Sequence, residues 1–202
     1  VFNATKYSTI VVPEGKSLPA FAAELRDEAA RVGLPIVNYT IGADFLRGSG
    51  GDLQAEIDRV QREVDVAEIL GAPGLRQDAS SGWPEGHSGP RSFAAALPRL
   101  AEGCRAVTEY AAAKGIRTMV ENHGRFCQES VRVEQLVTAV DHPNFGVLVD
   151  MGNFPCADDA PALFVCATNV RTGKVRIFSG REITTDAILA SGFGFAEIGT
   201  VT

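Results

Sequence analysis

Glu121 and Asp150 stand where chemistry is to be expected. Each closes a short apolar run, residues 116–120 and 145–149, and His123 and Asn153 follow just behind them. Both runs are rich in apolar residues and short enough to be strands buried on two faces. Between them Val133, Leu136, Val137 and Val140 recur at helical spacing, so the order is strand–helix–strand. A right-handed crossover makes such strands parallel and brings both carboxylates to one C-terminal edge. That is the edge at which open α/β sheets and (β/α) barrels hold their sites.

The size of the repulsion shows what such a pair is good for. With neighbouring strands about 4.8 Å apart, carboxylates on adjacent tips repel by about 3 kcal/mol at an effective dielectric of ~20. A divalent cation between them turns that cost into a binding site, and oxygen-only donors suit Mg or Mn. A plainer reading stands beside it: two solvated acids at strand ends, with residues 150–153 (DMGN) a turn.

The elements that must position these residues follow one another along the chain. Residues 9–12 are predicted as a short strand stopped by Pro13 and Gly15. Ser17 caps a helix over 18–32, with Phe21, Ala22, Leu25 and Ala29 on one face and Gly33 as its stop. Residues 35–41 read as a strand and 47–51 as a glycine-rich loop. Asp52 then caps a helix whose Leu53, Ile57, Val60, Val64 and Ala67 form a core-facing stripe up to Gly71. A weaker strand over 74–77 precedes the long loop 78–90 (DASSGWPEGHSGP). On that loop Trp83 offers a ring for a sugar to stack on; packing of the loop is an equal alternative. A helix over 91–114 is expected to kink or divide at Pro98.

The motifs MVENHG (119–124) and FGVLVDMGN (145–153) resemble the strand ends of the sugar phosphate isomerase/epimerase family, the xylose-isomerase-like TIM barrels. The resemblance runs over about 13–161 and includes PIVNYTIGADF, AEILGAPGLR and RLAEGCRAVTEYAAAKGI. It implies an α/β fold, a (β/α)8 TIM barrel, with Glu121 after the fifth strand and Asp150 after the sixth as ligands of a divalent metal. It further implies Glu121 as the catalytic proton carrier and His123 and Asn153 as substrate contacts. The family completes its site with a histidine after the seventh strand and a glutamate after the eighth. This chain has no histidine beyond His142, and a complete barrel takes about 250 residues. The expectation is therefore a partial or incomplete barrel over 1–161 with an atypical C-terminal segment, 162–202.

In that segment two alternating runs, 163–169 and 174–178, flank Thr172-Gly173 and predict a β-hairpin, followed by a helix over 185–190. Residues 162–191 resemble part of the patatin-like phospholipase family, without its G-x-S-x-G nucleophile turn. Residues 192–202 resemble a strand of class 2 dihydroorotate dehydrogenases; alternatively, Glu197 is a replacement metal ligand.

Composition narrows the function. A net charge of −6 over 202 residues, with no run of Lys or Arg, argues against a nucleic-acid surface. No apolar stretch is long enough to span a membrane. The four cysteines lack C-x-x-C spacing and read as reduced thiols of a cytoplasmic protein, with Cys127 near the acids as the one to watch. The first residue is Val, as in a processed chain or a fragment. Two functions compete. One is a metal-dependent isomerase or epimerase of a small sugar or hydroxy-carbonyl compound; the other is a catalytically silent scaffold or chimeric fragment.

Overall fold

The computed structural model describes residues 10–150, Asn153, and the backbone of Phe164–Thr168 and Val175–Ser179. The chain divides into two compact units, Val1–Cys156 and Ala157–Thr202.

The first unit is built by repeated alternation. In order it contains α1 (Leu18–Arg31), β1 (Tyr39–Thr40), α2 (Leu53–Leu70), β2 (Gly74–Gln77) and α3 (Phe93–Ala112). β3 (Arg117–Glu121), the single turn α4 (Gly124–Cys127), α5 (Ser130–Val140) and β4 (Phe145–Leu148) follow. The four strands lie side by side in sequence order, every pair parallel. This is the arrangement that strand–helix–strand units give when each crossover packs back on the same sheet.

The local signals act as their chemistry requires. Ser17 accepts from the Ala20 amide and Asp52 from the Ala55 amide, each satisfying an otherwise unpaired N–H of the first turn. Gly71 closes α2 in the left-handed conformation. α3 runs unbroken through Pro98, contrary to the expected division. The proline sits in the second turn, where it deletes one backbone bond, while Ala96, Leu100, Cys104 and Val107 remain buried along the same stripe. Two other expectations contract. The run 35–41 keeps only Tyr39–Thr40 as strand, with Ile41 as an isolated bridge, and Ile10–Val12 form no strand. Leu34 and Val37 remain exposed, so this end of the sheet lacks the two-sided burial that a longer strand would need.

Residues two apart along a strand share a face, and the register fixes which face is which. Leu75 and Gln77, Thr118 and Val120, and Phe145 and Val147 point toward the helices; all but the half-buried Val147 are buried. The Thr118 hydroxyl lies 2.7 Å from that of Thr108 on α3. Arg76, Met119, Glu121, Gly146 and Leu148 occupy the opposite face.

In the second unit β5 (Phe164–Thr168) and β6 (Val175–Ser179) pair antiparallel, Cys166 opposite Ile177. The predicted hairpin is present; the helix expected over 185–190, the turn at 172–173 and Glu197 lie outside the described residues.

Close packing of α3 over the sheet yields a test. A Cβ on Gly103 would fall 2.5 Å from the Phe45 ring, which is buried in the core. Replacing a helical glycine by alanine ordinarily gains about 1 kcal/mol, but overpacking a rigid ring costs about 1–3 kcal/mol. Gly103→Ala is therefore expected to lower stability in urea denaturation, and Gly103→Val to lower it further. A gain in stability with alanine would mean that Phe45 yields.

Candidate functional site

The C-terminal edge of the sheet gathers the charged groups. Arg76, on β2, is at the centre: its side chain is only 7 % exposed, yet it is a guanidinium that stays charged. Its Nε donates to Glu121 Oε2 at 2.5 Å, and one terminal nitrogen donates to Asp78 Oδ2 at 3.0 Å and to the Ile41 carbonyl at 3.2 Å. The other terminal nitrogen lies 3.0 Å from Asp78 Oδ1. One side chain thus ties together the ends of β1, β2 and β3. At about 4 Å and an effective dielectric near 20, each such charge pair attracts by about 4 kcal/mol, enough to offset much of the cost of burying the ions.

Glu121 is held at both oxygens, since Asn153 Nδ2 donates to Oε1 at 3.0 Å. His123 turns back at once, its amide donating to the Glu121 carbonyl at 2.7 Å. Its ring Nδ1 lies 3.1 Å from Asp78 Oδ1, with half of the side chain in solvent. Asp150 is exposed, but its backbone is fixed by the buried Asn122. The Asn122 amide group donates to the Asp150 carbonyl at 2.7 Å and accepts from the Asp150 amide at 2.6 Å. Four of the five residues read from the sequence therefore collect at one edge: Glu121, His123, Asp150 and Asn153.

Trp83 takes part in the folding of its loop. Its ring stacks on His87 with centroids 4.0 Å apart, and its Nε1 donates to the Ser92 carbonyl at 3.1 Å. Cys127 is buried, and burial pushes its thiol up to about 12, with the negative charge of Asp78 adding to the effect. A thiol so far from ionising is not a nucleophile near neutral pH. Cys104 is likewise free, buried and raised by burial.

Beside Asp78 opens a polar cleft of about 490 Å³, within the range of small-ligand sites. Asp44, Arg47, Ser49 and Ser81 contribute to it. Asp44 accepts from the Ser80 and Ser81 hydroxyls, locking the loop after β1 to the loop after β2. Glu56, on α2, braces the first of these loops through the Asp44 amide and the Ser49 hydroxyl, and Arg59 adds a bond to the Gly42 carbonyl. Burial pushes the Glu56 carboxyl up, but Arg59 and these donors more than compensate and hold it below its ordinary value. The Glu56 carboxyl passes so close to Gly48 that a Cβ there would meet it at 2.3 Å.

Arg76, Asp78, Asn122, Asp44 and Glu56 were missed in the sequence. The one available signal is a charged residue, Arg76, inside a strand, because a buried charge must find a partner, though the sequence does not say which.

The donor set can be tested against a divalent metal. Among the described residues no three His, Cys, Asp or Glu side chains group as metal donors, and both Glu121 oxygens already accept hydrogen bonds. The described residues alone do not fit a resident metal.

A chain with a parallel sheet, crossover helices and charges at the C-terminal edge is of the (β/α)-barrel class. Residues 7–179 match the family model described as xylose isomerase-like TIM barrel, and the chain belongs to that family. No curated protein matches it. Among solved structures it is similar to a xylose isomerase-like TIM barrel/4-hydroxyphenylpyruvate dioxygenase fusion protein, at 25 % identity, covering 62 % of this chain and 19 % of that one, TM-score 0.51. It is similar to D-psicose 3-epimerase solved with D-fructose, at 21 % identity over 70 % of this chain and 52 % of that one, TM-score 0.57. A third is a xylose isomerase-like TIM barrel protein from Mycobacterium smegmatis in complex with magnesium, at 16 % identity over 80 % and 62 %, TM-score 0.52. The chain spans less than two thirds of the length of each. The family match takes in the β5–β6 stretch, and the C-terminal resemblances to patatin-like phospholipase and dihydroorotate dehydrogenase gain no support from it. No helix among the described residues is long and apolar enough to cross a membrane.

The Asn122 clamp is the most exposed to test. Asn122→Ala removes both bonds and leaves the Asp150 backbone groups to find water, at a cost of about 1–3 kcal/mol. The expected outcome is that loss in chemical denaturation, together with faster hydrogen exchange at the Asp150 amide. Unchanged exchange would show that something else fixes Asp150.

Proposed function

We propose that this chain is a sugar isomerase or epimerase, working by proton transfer next to a carbonyl, with Glu121 as the proton carrier. The observation that carries the reading is the placement of Glu121. It stands at the C-terminal end of β3, on the face away from the helices, fixed between Arg76 and Asn153. The family match and the likeness to a sugar epimerase support the substrate class.

A small sugar or hydroxy-carbonyl compound binds at the sheet edge beside Glu121, next to the polar cleft that Asp78 borders, with His123 and Asn153 as hydrogen-bonding contacts and Trp83 as a stacking surface. Each carboxylate oxygen has more than one acceptor position, so Glu121 keeps a free lone pair despite its two partners. It takes the proton from the carbon next to the carbonyl, leaving an enediolate. In aldose–ketose interconversion it returns that proton to the former carbonyl carbon while the hydroxyl proton passes from one oxygen to the other. In epimerisation a second acid would return a proton to the same carbon from the opposite face. Arg76 keeps the carboxylate oriented throughout, so the group need not reorganise at the moment of transfer.

A divalent ion, Mn or Mg, would be drawn to Glu121 and Asp150, and there only by sharing Glu121 with Arg76 and Asn153. Its binding to this chain is weak, and no step above passes through it. A cytoplasmic setting suits the two buried free thiols. The domain reading remains a barrel portion over 1–161 with a distinct segment over 162–202.

The rival reading is a silent scaffold, favoured by the same hydrogen bonds that occupy both Glu121 oxygens. Solvent exchange separates the two. With a panel of ketoses and aldoses in deuterated water, the chain is expected to wash deuterium into the carbon next to the carbonyl. Glu121→Gln is expected to slow this by roughly 10²–10⁴-fold, with Asp150→Asn less severe. No exchange with any sugar, and no sugar-dependent rise in melting temperature, would favour the scaffold.

A further inference from the structure

Arg76 is engaged on every side that matters to Glu121. It reaches Glu121 through Nε, Asp78 through both terminal nitrogens, and the Ile41 carbonyl through one of them. The third contact keeps it from swinging away, because Ile41 is almost completely buried at the end of β1. We propose that Arg76 is a built-in cation occupying the place beside Glu121 that a divalent ion would need. It makes Arg76 a positioning residue, holding Glu121 and Asp78 ready to receive substrate hydroxyls without a resident metal.

The charge count carries the argument. Arg76, Asp78 and Glu121 together bear one net negative charge, and without the guanidinium they would bear two. A divalent ion at Glu121 would sit within a few ångströms of a positive group that cannot release its proton. The ion would face repulsion from Arg76 and competition for Oε2 at once. Mg and Mn accept one or two protein carboxylates with water completing the shell, so the acids at this edge suffice once the guanidinium is gone. The fork geometry also matters. Three donor nitrogens aimed at two carboxylates fix both, as a point charge on a flexible stem does not.

Calorimetric titration of Mn into the purified chain tests this without any substrate, so the isomerase reading can fail while this readout stands. The parent chain is expected to bind Mn weakly. Arg76→Met is expected to bind it roughly 10–100-fold tighter, and the double variant Arg76→Met/Glu121→Gln to lose that gain. Arg76→Lys keeps the charge and is expected to stay close to the parent. Micromolar binding by the parent, or a folded Arg76→Met with unchanged affinity, overturns the proposal. Should Arg76→Met fail to fold by circular dichroism, the parent is titrated with Mg and followed by NMR at the Arg76 Nε–H. A resonance unmoved at millimolar Mg supports the proposal, whereas a saturating shift at lower concentration overturns it.

Discussion

The ion pairs of Arg76 are the constraint on which the site depends. A guanidinium under the rim of the sheet is costly to bury, and Asp78 and Glu121 are what make its position tolerable. Their geometry in turn determines much else. Because Arg76 shares its donors among three strand ends, the spacing of β1, β2 and β3 at this edge is set by hydrogen bonds, and apolar packing on the helix side only has to agree with it. Removing one partner of such a set leaves an uncompensated charge behind, typically at a cost of 3–5 kcal/mol. This is the region where stability and chemistry share the same atoms.

A second level of support lies on α2. Glu56 and Arg59 reach across to the loop after β1, and Asp44 on that loop reaches to the serines after β2. Glu63, about two turns beyond Glu56 on the same helix, accepts from the buried Tyr39 hydroxyl at 2.7 Å. Burial raises its carboxyl above the ordinary range, in contrast to Glu56, because Tyr39 and the arginines compensate less than burial costs. Two glutamates on one helix thus differ in charge preference through the balance of burial against their partners. The helix appears amphipathic in sequence, but part of its inner face is polar.

The legible part of this fold was the part governed by period and punctuation. Ser17, Asp52 and Gly71 marked helix ends because the chemistry of caps is local. The strands at Arg117–Glu121 and Phe145–Leu148 are readable as short apolar runs ended by an acid, whereas Gly74–Gln77, with Arg76 and Gln77 in it, gives only a weak signal. At Pro98 the sequence points to a kink or a division; the helix does not divide, because the proline deletes one bond and the long buried stripe of α3 outweighs it. The run at 35–41 shortens for a different reason: Leu34 just before it and Val37 within it stay exposed, while only its far end, Tyr39 and Ile41, is buried. At the site, the acids were visible as strand terminators. Their partners were not, because nothing in a sequence states that residue 76 will lie against residue 121.

The exchange between Asn122 and the backbone of Asp150 has a consequence for how this edge can change. Donating to a carbonyl and accepting from an amide on the same residue is what a hydrogen-bonded pair does in an antiparallel ladder, here made by a side chain beside two parallel strands. Asn122 therefore acts as one more rung, made from a side chain, that carries the pairing of β3 and β4 past the last regular pair, Glu121 with Leu148. The main-chain position of Asp150 is thus fixed by the side chain of another residue. A change of side chain at residue 150 leaves both of these bonds available, because Asn122 grips the main chain there and not the carboxylate, so the β3–β4 edge can outlast a change in its chemistry.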